Sequence, residues 1–262
     1  MSERVITTLE NHVATVTLSR AEKQNALDME MFSAIAEAGD ALKADRSVRA
    51  VVLRADGDHF CAGMDVSVFQ SGDIDASMLQ ALPDSNANFF QKIAYVWREI
   101  EVPVICAVKG NCLGGGLQIA LGADIRISAA DAKLSIMEVH WGLIPDLALT
   151  TTLRDIMPVD KVKALMFTGR ILSGAEALPL GLVTDLAEDP DATAAELAAA
   201  IARMSPDAIR GGKQLVNAAW RLSEAESLRL EAEIQGRVLM SPNTREAAMA
   251  KFEKREATFK DA

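Results

Sequence analysis

The residues most able to do chemistry are a run of three glycines, one amide and two carboxylates. The glycines occupy positions 114–116, and Gln118 follows them. Glu138 lies in "SIMEV", and Asp146 follows eight residues later in "WGLIPD". A carboxylate can take up and return a proton, whereas an amide can only form hydrogen bonds. Glycine at the start of a helix exposes backbone N–H groups that favour negative charge. The set therefore predicts proton transfer beside a developing anion.

A second loop has the same design. "HFCAGMD" (59–65) and "GNCLGGGLQ" (110–118) both follow apolar, strand-like segments and place glycine before a helix. Glycine allows the backbone to approach a ligand closely. Two backbone N–H groups that point at one position can stabilise an oxyanion. We therefore expect the two loops to meet.

The elements that must position these loops alternate between strands and helices. "VITTLE" and "VATVTLSR" predict a hairpin that turns at Asn11 and His12. Residues 28–44 have apolar positions at helical spacing, with Asp28 as the N-cap. Buried strands are predicted at "VRAVVLRAD", "PVICAVKG" and "AKLSIME", so that Glu138 would lie on a strand, and a helix is predicted over 86–100.

The second half of the sequence is predominantly helical from about residue 148. Ser173, Asp191 and Ser205 are predicted helix caps, and the last two helices are predicted to break at Ser241–Pro242. A polar loop is predicted over 71–88.

Composition excludes several classes of function. The 262 residues carry a formal net charge of −10, which argues against a nucleic-acid-binding protein. The three cysteines have neither metal-ligand spacing nor a disulfide pattern, which indicates a reducing compartment and no metal site. No signal peptide or membrane span is predicted, so we expect a cytoplasmic protein.

Six segments in this order resemble those of the crotonase family, also called the enoyl-CoA hydratase/isomerase family. The similar segments are "SRAEKQNALD", "HFCAGMD", "GNCLGGGLQIALGADIRIS", "LSIMEVHWGLIPD", "FTGRILSGAEALPLGLV" and "KFEKREATFKD". The resemblance implies an α/β fold, a crotonase-like spiral of ββα turns over residues 1–200. It also implies a helical C-terminal oligomerisation region over residues 201–262 and a homotrimer or a dimer of trimers.

The resemblance also implies an acyl-CoA thioester as substrate. The amides of Met64 and Gly115 would form the oxyanion hole that holds the thioester oxygen. No metal or other cofactor is implied, because coenzyme A is part of the substrate. The implied coenzyme A contacts are Lys23, Gln24, Ala26, Ala62, Asp65 and, from a neighbouring subunit, Phe252 and Lys260.

The catalytic positions depart from those of the family's hydratases, which have glutamate at two sites. Glu138 matches the second site, and Gln118 occupies the first. Asp146 resembles a position that dienoyl-CoA isomerases use, and also the nucleophile of chlorobenzoyl-CoA dehalogenase, whose pocket aromatics are not evident here. These residues favour double-bond isomerisation with Glu138 as acid and base. The alternatives are hydration with Gln118 only positioning water, and a CoA-thioester-binding protein with little catalysis.

Two further expectations concern the surroundings of the site. On a strand, His140 would share a face with Glu138 and could form a hydrogen bond with an acid. Residues 66–90, including Phe89 and Phe90, would line an apolar acyl site.

Overall fold

The computed structural model describes residues 4–71, 75–83 and 85–262. The chain opens with an antiparallel hairpin of β1 (Val5–Glu10) and β2 (Val13–Leu18). Asn11 and His12 form the turn between the two strands, with left-handed φ values of 49° and 67°. This confirms the predicted hairpin. Of the loop predicted over 71–88, residues 72–74 and 84 lie outside the described residues, and Ala76–Leu79 form a 3₁₀ turn.

Two sheets form the framework in the described part of the chain. The remaining strands are β3 (Ala50–Ala55), β4 (Val104–Val108), β5 (Asn111–Leu113), β6 (Ile125–Ser128), β7 (Lys133–Ser135), β8 (Leu172–Ser173) and β9 (Asp185–Leu186). The larger sheet has the order β1-β2-β3-β4-β6-β9, and its strands are parallel after the first pair. The smaller sheet has the order β5-β7-β8. The chain visits the larger and then the smaller sheet, from β4 to β5 and from β6 to β7, which gives the repeated turns of a spiral.

Helices surround these sheets. They are α1 (Met29–Ala44), α2 (Val66–Ser71), α3 (Phe89–Glu99), α4 (Gly115–Gly122), α5 (Leu149–Leu153), α6 (Val159–Thr168), α7 (Gly174–Ala177), α8 (Pro190–Ala202), α9 (Pro206–Ala219), α10 (Glu224–Met240) and α11 (Pro242–Glu253). Asp28 accepts a hydrogen bond from Met31 N, and Ser173 forms a capping box, as predicted. The cap predicted at Asp191 is wrong: Asp189 caps α8, and Pro190 begins it. Ser205 precedes α9 without a capping side-chain bond.

The core between α1 and α3 contains an aromatic cluster. Phe32 stacks on Phe89 with 5.8 Å between ring centroids and meets Phe90 edge to face at 5.4 Å. The expectation that Phe89 and Phe90 line an acyl site stays a prediction, and these ring contacts show that both residues also pack against Phe32.

The C-terminal helices are tied to the framework by a buried amine. Lys213 Nζ on α9 donates to the carbonyls of Trp97 and Val102 and to Asp124 Oδ2. Each proton of the ammonium group has an acceptor, which compensates for its burial. The division at residue 200 stays a prediction. In the described ranges, no helix is long and apolar enough to cross a membrane.

Candidate active site

The two glycine loops lie side by side. Cys61 N donates to Asn111 O at 2.9 Å, and Leu113 N donates to Cys61 O at 3.0 Å. These bonds form a parallel bridge between Cys61 and Cys112 that continues the smaller sheet. The loops therefore meet as the sequence predicts.

Glycine is required where the loops touch. Gly63 has a φ of +94°, and a methyl group there would lie 3.0 Å from Leu113 O and 3.8 Å from Gly115 N. Gly114 has a φ of +53°, and its methyl group would lie 3.3 Å from Glu138 Oε1. An L side chain at either position would be strained and would also crowd the site.

Two backbone amides are left for a ligand. The residues on both sides of Met64 bond to Leu27: Leu27 N donates to Gly63 O, and Asp65 N donates to Leu27 O. Gly114 N donates to Ser135 O, and Gly115 begins α4. Within the described residues, the N–H groups of Met64 and Gly115 have no protein acceptor. This arrangement can bind a developing oxyanion.

These amides border a cavity of about 150 Å³ that also contains the two acids. Its other walls are mostly apolar. They consist of Leu27, Ala62, Val66, Leu113, Gln118, Met137, Trp141, Leu143, Ile144 and Leu147. Apolar walls exclude water and lower the local dielectric constant, so hydrogen bonds inside the cavity are stronger than in bulk water.

The prediction that Glu138 lies on a strand is wrong. Glu138 begins a 3₁₀ turn over Glu138–Trp141. Strand β7 ends at Ser135, and the bend that follows places the carboxyl group beside Gly114. Gln118 Nε2 donates to Glu138 Oε1 at 2.6 Å, and Gln118 Oε1 accepts from Leu147 N at 2.9 Å. The amide thus joins the acid to the segment that carries Asp146.

The second oxygen of Glu138 is free. Oε2 is buried and has no partner among the described residues. Burial raises the pKa of Glu138, and the Asp146 charge adds to the rise, while the hydrogen bond from Gln118 opposes it. The Asp146 residue is exposed at the cavity rim, yet its carboxyl group is shielded enough from water that its pKa is also raised. The site therefore contains two carboxyl groups that hold a proton more tightly than exposed acids do, which favours a role in proton transfer.

The histidines near the site have structural partners. His140 faces away from the acids, and its Nε2 lies 3.1 Å from Thr168 O. The predicted contact with an acid is wrong, because a 3₁₀ turn does not place alternate residues on one face as a strand does. His59 Nδ1 accepts from Asn111 N at 3.0 Å, which holds the two glycine loops together.

The turn at residues 20–26 packs against these loops. Gln24 O accepts from Ala62 N at 2.9 Å, and Gln24 Oε1 accepts from Asn111 Nδ2 at 2.9 Å. Lys23 is exposed, and Ala26 is bonded through its carbonyl to Arg20. Three of the expected coenzyme A contacts thus lie on one turn beside the loop that carries Ala62 and Met64.

Asp65, another expected contact, has partners of its own. Its carboxylate accepts from Arg20 Nη1 at 2.6 Å and from Ser67 N at 2.9 Å. The hydrogen bond from Ser67 and the Arg20 guanidinium lower its pKa to about 2. Asp65 therefore fastens the oxyanion loop to the 20–26 turn.

Phe252 and Lys260 lie apart from this cavity. Phe252 is 86% exposed on α11. The backbone of Lys260 pairs with the Asn243 side chain through bonds of 2.9 Å in each direction. A contact of either residue with coenzyme A would have to involve a neighbouring subunit.

Sequence reasoning missed Asn25. It is fully buried, has a left-handed φ of 53°, and donates to Asp56 O and His59 O while accepting from Arg20 N. An asparagine in a predicted turn is a weak signal by itself, since asparagine tolerates this backbone conformation in many turns.

Comparisons with known proteins agree with this geometry. A family model described as enoyl-CoA hydratase/isomerase matches residues 8–262. The enoyl-CoA hydratase EchA19 of Mycobacterium tuberculosis (strain ATCC 25618 / H37Rv) is 30% identical over 261 residues, which cover 95% of this chain and 94% of that one. The mitochondrial Delta(3,5)-Delta(2,4)-dienoyl-CoA isomerase of Mus musculus is 32% identical over 261 residues, covering 96% of this chain and 80% of that one.

A solved structure extends the match to the whole fold. The crystal structure of enoyl-CoA hydratase from Mycobacterium tuberculosis H37Rv superimposes with a TM-score of 0.88 at 27% identity and covers 100% of both chains. This confirms the predicted crotonase-like α/β fold with its helical C-terminal region. The chain belongs to the enoyl-CoA hydratase/isomerase family and is an enzyme.

Proposed function

We propose that the protein isomerises the double bond of an enoyl-CoA thioester by proton transfer, with Glu138 as acid and base. One observation carries the proposal. Glu138 lines the cavity that holds the two unpaired amides, and its Oε2 has no partner among the described residues, while its other oxygen is fixed by the amide of Gln118 instead of by a second carboxylate.

The proposed reaction needs only a proton shift. The thioester oxygen accepts hydrogen bonds from Met64 N and Gly115 N. Glu138 takes a proton from C2 of a 3-enoyl group, and the electrons of that C–H bond form a dienolate on the thioester oxygen. A proton then returns to C4, the double bond moves to C2–C3, and the carbonyl re-forms. Glu138 can return the proton itself, and Asp146, in its protonated form, can divide the work by donating to C4 while Glu138 accepts from C2.

The turn with Lys23, Gln24 and Ala26 would hold the coenzyme A portion, with Ala62 and Asp65 in the adjoining loop. Phe252 and Lys260 would come from a neighbouring subunit of a trimer. The proposal invokes no metal or prosthetic group, because the backbone amides and the carboxyl groups supply every hydrogen bond and proton that the shift needs. A cytoplasmic location also stays a prediction.

Hydration is the second candidate, because EchA19 and other relatives are named as hydratases. In the proposed hydration, water adds across C2–C3 of a 2-enoyl group. Gln118 is a poor holder for that water, because its oxygen is bonded to Leu147 N and its nitrogen to Glu138. The water would instead lie between Glu138 and Asp146.

Mass spectrometry separates these activities. The protein is incubated in D₂O with a 3-enoyl-CoA and, separately, with crotonyl-CoA. Isomerisation gives a 2-enoyl product that is recognised by the absorbance of its conjugated double bond and that gains no water, with deuterium incorporated wherever the carried proton exchanges with solvent. Hydration gives a product heavier by one D₂O. Turnover of crotonyl-CoA without any isomerisation would refute the proposal. Binding of both thioesters without a product would identify a CoA-thioester-binding protein.

A further inference from the structure

A second pocket lies on the other side of Asp146. It has a volume of about 230 Å³, and Asp146 lines both this pocket and the active-site cavity. Helix α3, the residues just before it, and the start of α5 with the preceding Ala148 supply its other walls. They consist of Asn86, Ala87, Gln91, Tyr95, Ala148, Leu149, Thr150 and Thr151. It is smaller than the roughly 300–1,000 Å³ of sites that hold whole ligands, so it suits one segment of a larger molecule.

Polar groups with unused hydrogen-bonding capacity dominate this pocket. Gln91 Oε1 accepts from Asn88 N in the capping box of α3, which leaves its Nε2 without a partner among the described residues. In the same part of the chain, the Asn86 amide and the Tyr95 and Thr151 hydroxyl groups have no hydrogen-bond partner in the protein. Neutral donors and acceptors thus converge on one space.

The residues that line the pocket carry no positive charge and only one carboxyl group. No lysine or arginine is among the residues that line it, and Asp146 is its one ionisable carboxyl group. A carboxylate in this pocket would face a like charge without a compensating cation. A neutral hydroxyl group would instead find both donors and acceptors.

The backbone beside Asp146 is held in an uncommon conformation. Ala148, which lines the pocket, has a left-handed φ of 61° at the start of α5. Non-glycine residues adopt this conformation at a cost, and such residues concentrate at functional sites. The conformation directs the 145–151 segment along both cavities.

We propose that this pocket receives the far end of the acyl group and selects a neutral, hydroxylated acyl chain over an unsubstituted or a carboxylated one. The inference rests on the proposed acyl-CoA substrate. It places the far end of the acyl group beside Asn86 and Ala87, at the end of the predicted 66–90 segment, in surroundings that are more polar than the sequence predicts.

Binding of saturated thioesters tests the pocket independently of any turnover. Isothermal titration calorimetry at pH 8 compares hexanoyl-CoA, 6-hydroxyhexanoyl-CoA and adipoyl-CoA, which share one chain length. We expect the hydroxylated thioester to bind about 3- to 10-fold more tightly than hexanoyl-CoA, the effect of one neutral hydrogen bond or slightly more. Adipoyl-CoA should bind more weakly than both. Equal or weaker binding of the hydroxylated thioester would overturn the inference.

Two conservative variants locate the effect. Tyr95→Phe and Thr151→Val each remove one hydroxyl group and keep the shape of the side chain, and each should reduce the preference for the hydroxylated thioester. Thr8→Val on the exposed face of β1 is the matched control and should leave the preference intact. A preference that survives in both pocket variants would contradict the proposed site. Because these ligands do not react, a failure of the isomerase proposal would leave this result interpretable.

Discussion

Nε2 of Gln118 donates a hydrogen bond of 2.6 Å to Oε1 of Glu138. The same amide accepts from Leu147 N, and the Gln118 side chain is 1% exposed. An amide that is fixed at both ends cannot rotate towards a substrate without leaving a buried group unpaired. Gln118 therefore orients Glu138 and leaves its Oε2 for chemistry.

Replacing this amide by an acid should change the reaction. In Gln118→Glu, two carboxyl groups would lie about as close as Gln118 and Glu138 do now, so at neutral pH they would share a proton. We expect the variant to hydrate crotonyl-CoA at a rate above that of the wild type, because one group can activate water while the other donates a proton. Product mass and the loss of enoyl absorbance measure the change.

Gln118→Met is the control for that experiment. It fills a similar volume but removes both hydrogen bonds, and we expect a loss of about 1–3 kcal/mol in the free energy of unfolding, with no gain of hydration. If Gln118→Glu folds and still fails to hydrate crotonyl-CoA, then this position does not by itself withhold the activity.

Glu138→Gln should abolish most of the isomerisation. The change preserves shape and an acceptor for Gln118 Nε2 but removes the group that accepts a proton, and general acid–base catalysis contributes about 10²- to 10⁴-fold. We expect kcat to fall by a factor in that range while the affinity for a saturated acyl-CoA is retained. A variant that keeps more than half of the wild-type kcat would show that Glu138 is not the base.

The raised pKa of Glu138 also predicts two opposite pH effects. The base must be ionised, so kcat should fall with decreasing pH at values above the ordinary range of a glutamate. Since the native state holds this proton more tightly than the unfolded state, the contribution of Glu138 to stability decreases as pH rises through the raised pKa. Glu138→Gln should therefore remove that decrease and match or exceed the wild-type stability at pH 8. Thermal unfolding from pH 5 to pH 8 measures it.

The sequence predicts the framework better than the details of the site. The glycines at 63 and 114–116 and the apolar strands before them are local signals, and they predict where the loops meet. The bond between Gln118 Oε1 and Leu147 N joins residues 29 positions apart, and sequence periodicity carries no information on it. The strand predicted at Glu138 fails for the same reason, since the need to reach Gly114 is tertiary.

Asn25 should support coenzyme A binding from a distance. Asn25→Asp keeps an acceptor but loses the two donors to Asp56 O and His59 O, which leaves buried carbonyls unpaired. We expect a loss of at least about 2 kcal/mol of stability. The displaced 20–26 turn should raise KM for the thioester more than it lowers kcat. Asn11→Asp, at an exposed position that also has a left-handed φ, is the matched control. An unchanged KM in folded Asn25→Asp would separate this turn from coenzyme A binding.

Asp146→Asn tests whether two acids share the proton transfer. If Asp146 delivers the proton to C4, the variant should lose about 10²-fold in kcat, because Glu138 would then have to carry the proton between two carbons alone. The Asp146 charge also contributes to the raised pKa of Glu138, so its removal should shift the acidic limb of the kcat profile to lower pH. Asp131→Asn, at an exposed position outside the cavity, is the control and should change neither quantity. A shifted limb with an undiminished kcat would assign Asp146 a purely electrostatic role and Glu138 the whole transfer. A loss of kcat near 10²-fold that persists at pH values where Glu138 is fully ionised, together with the shift, would support the pair, because it exceeds what the lower basicity of Glu138 alone explains.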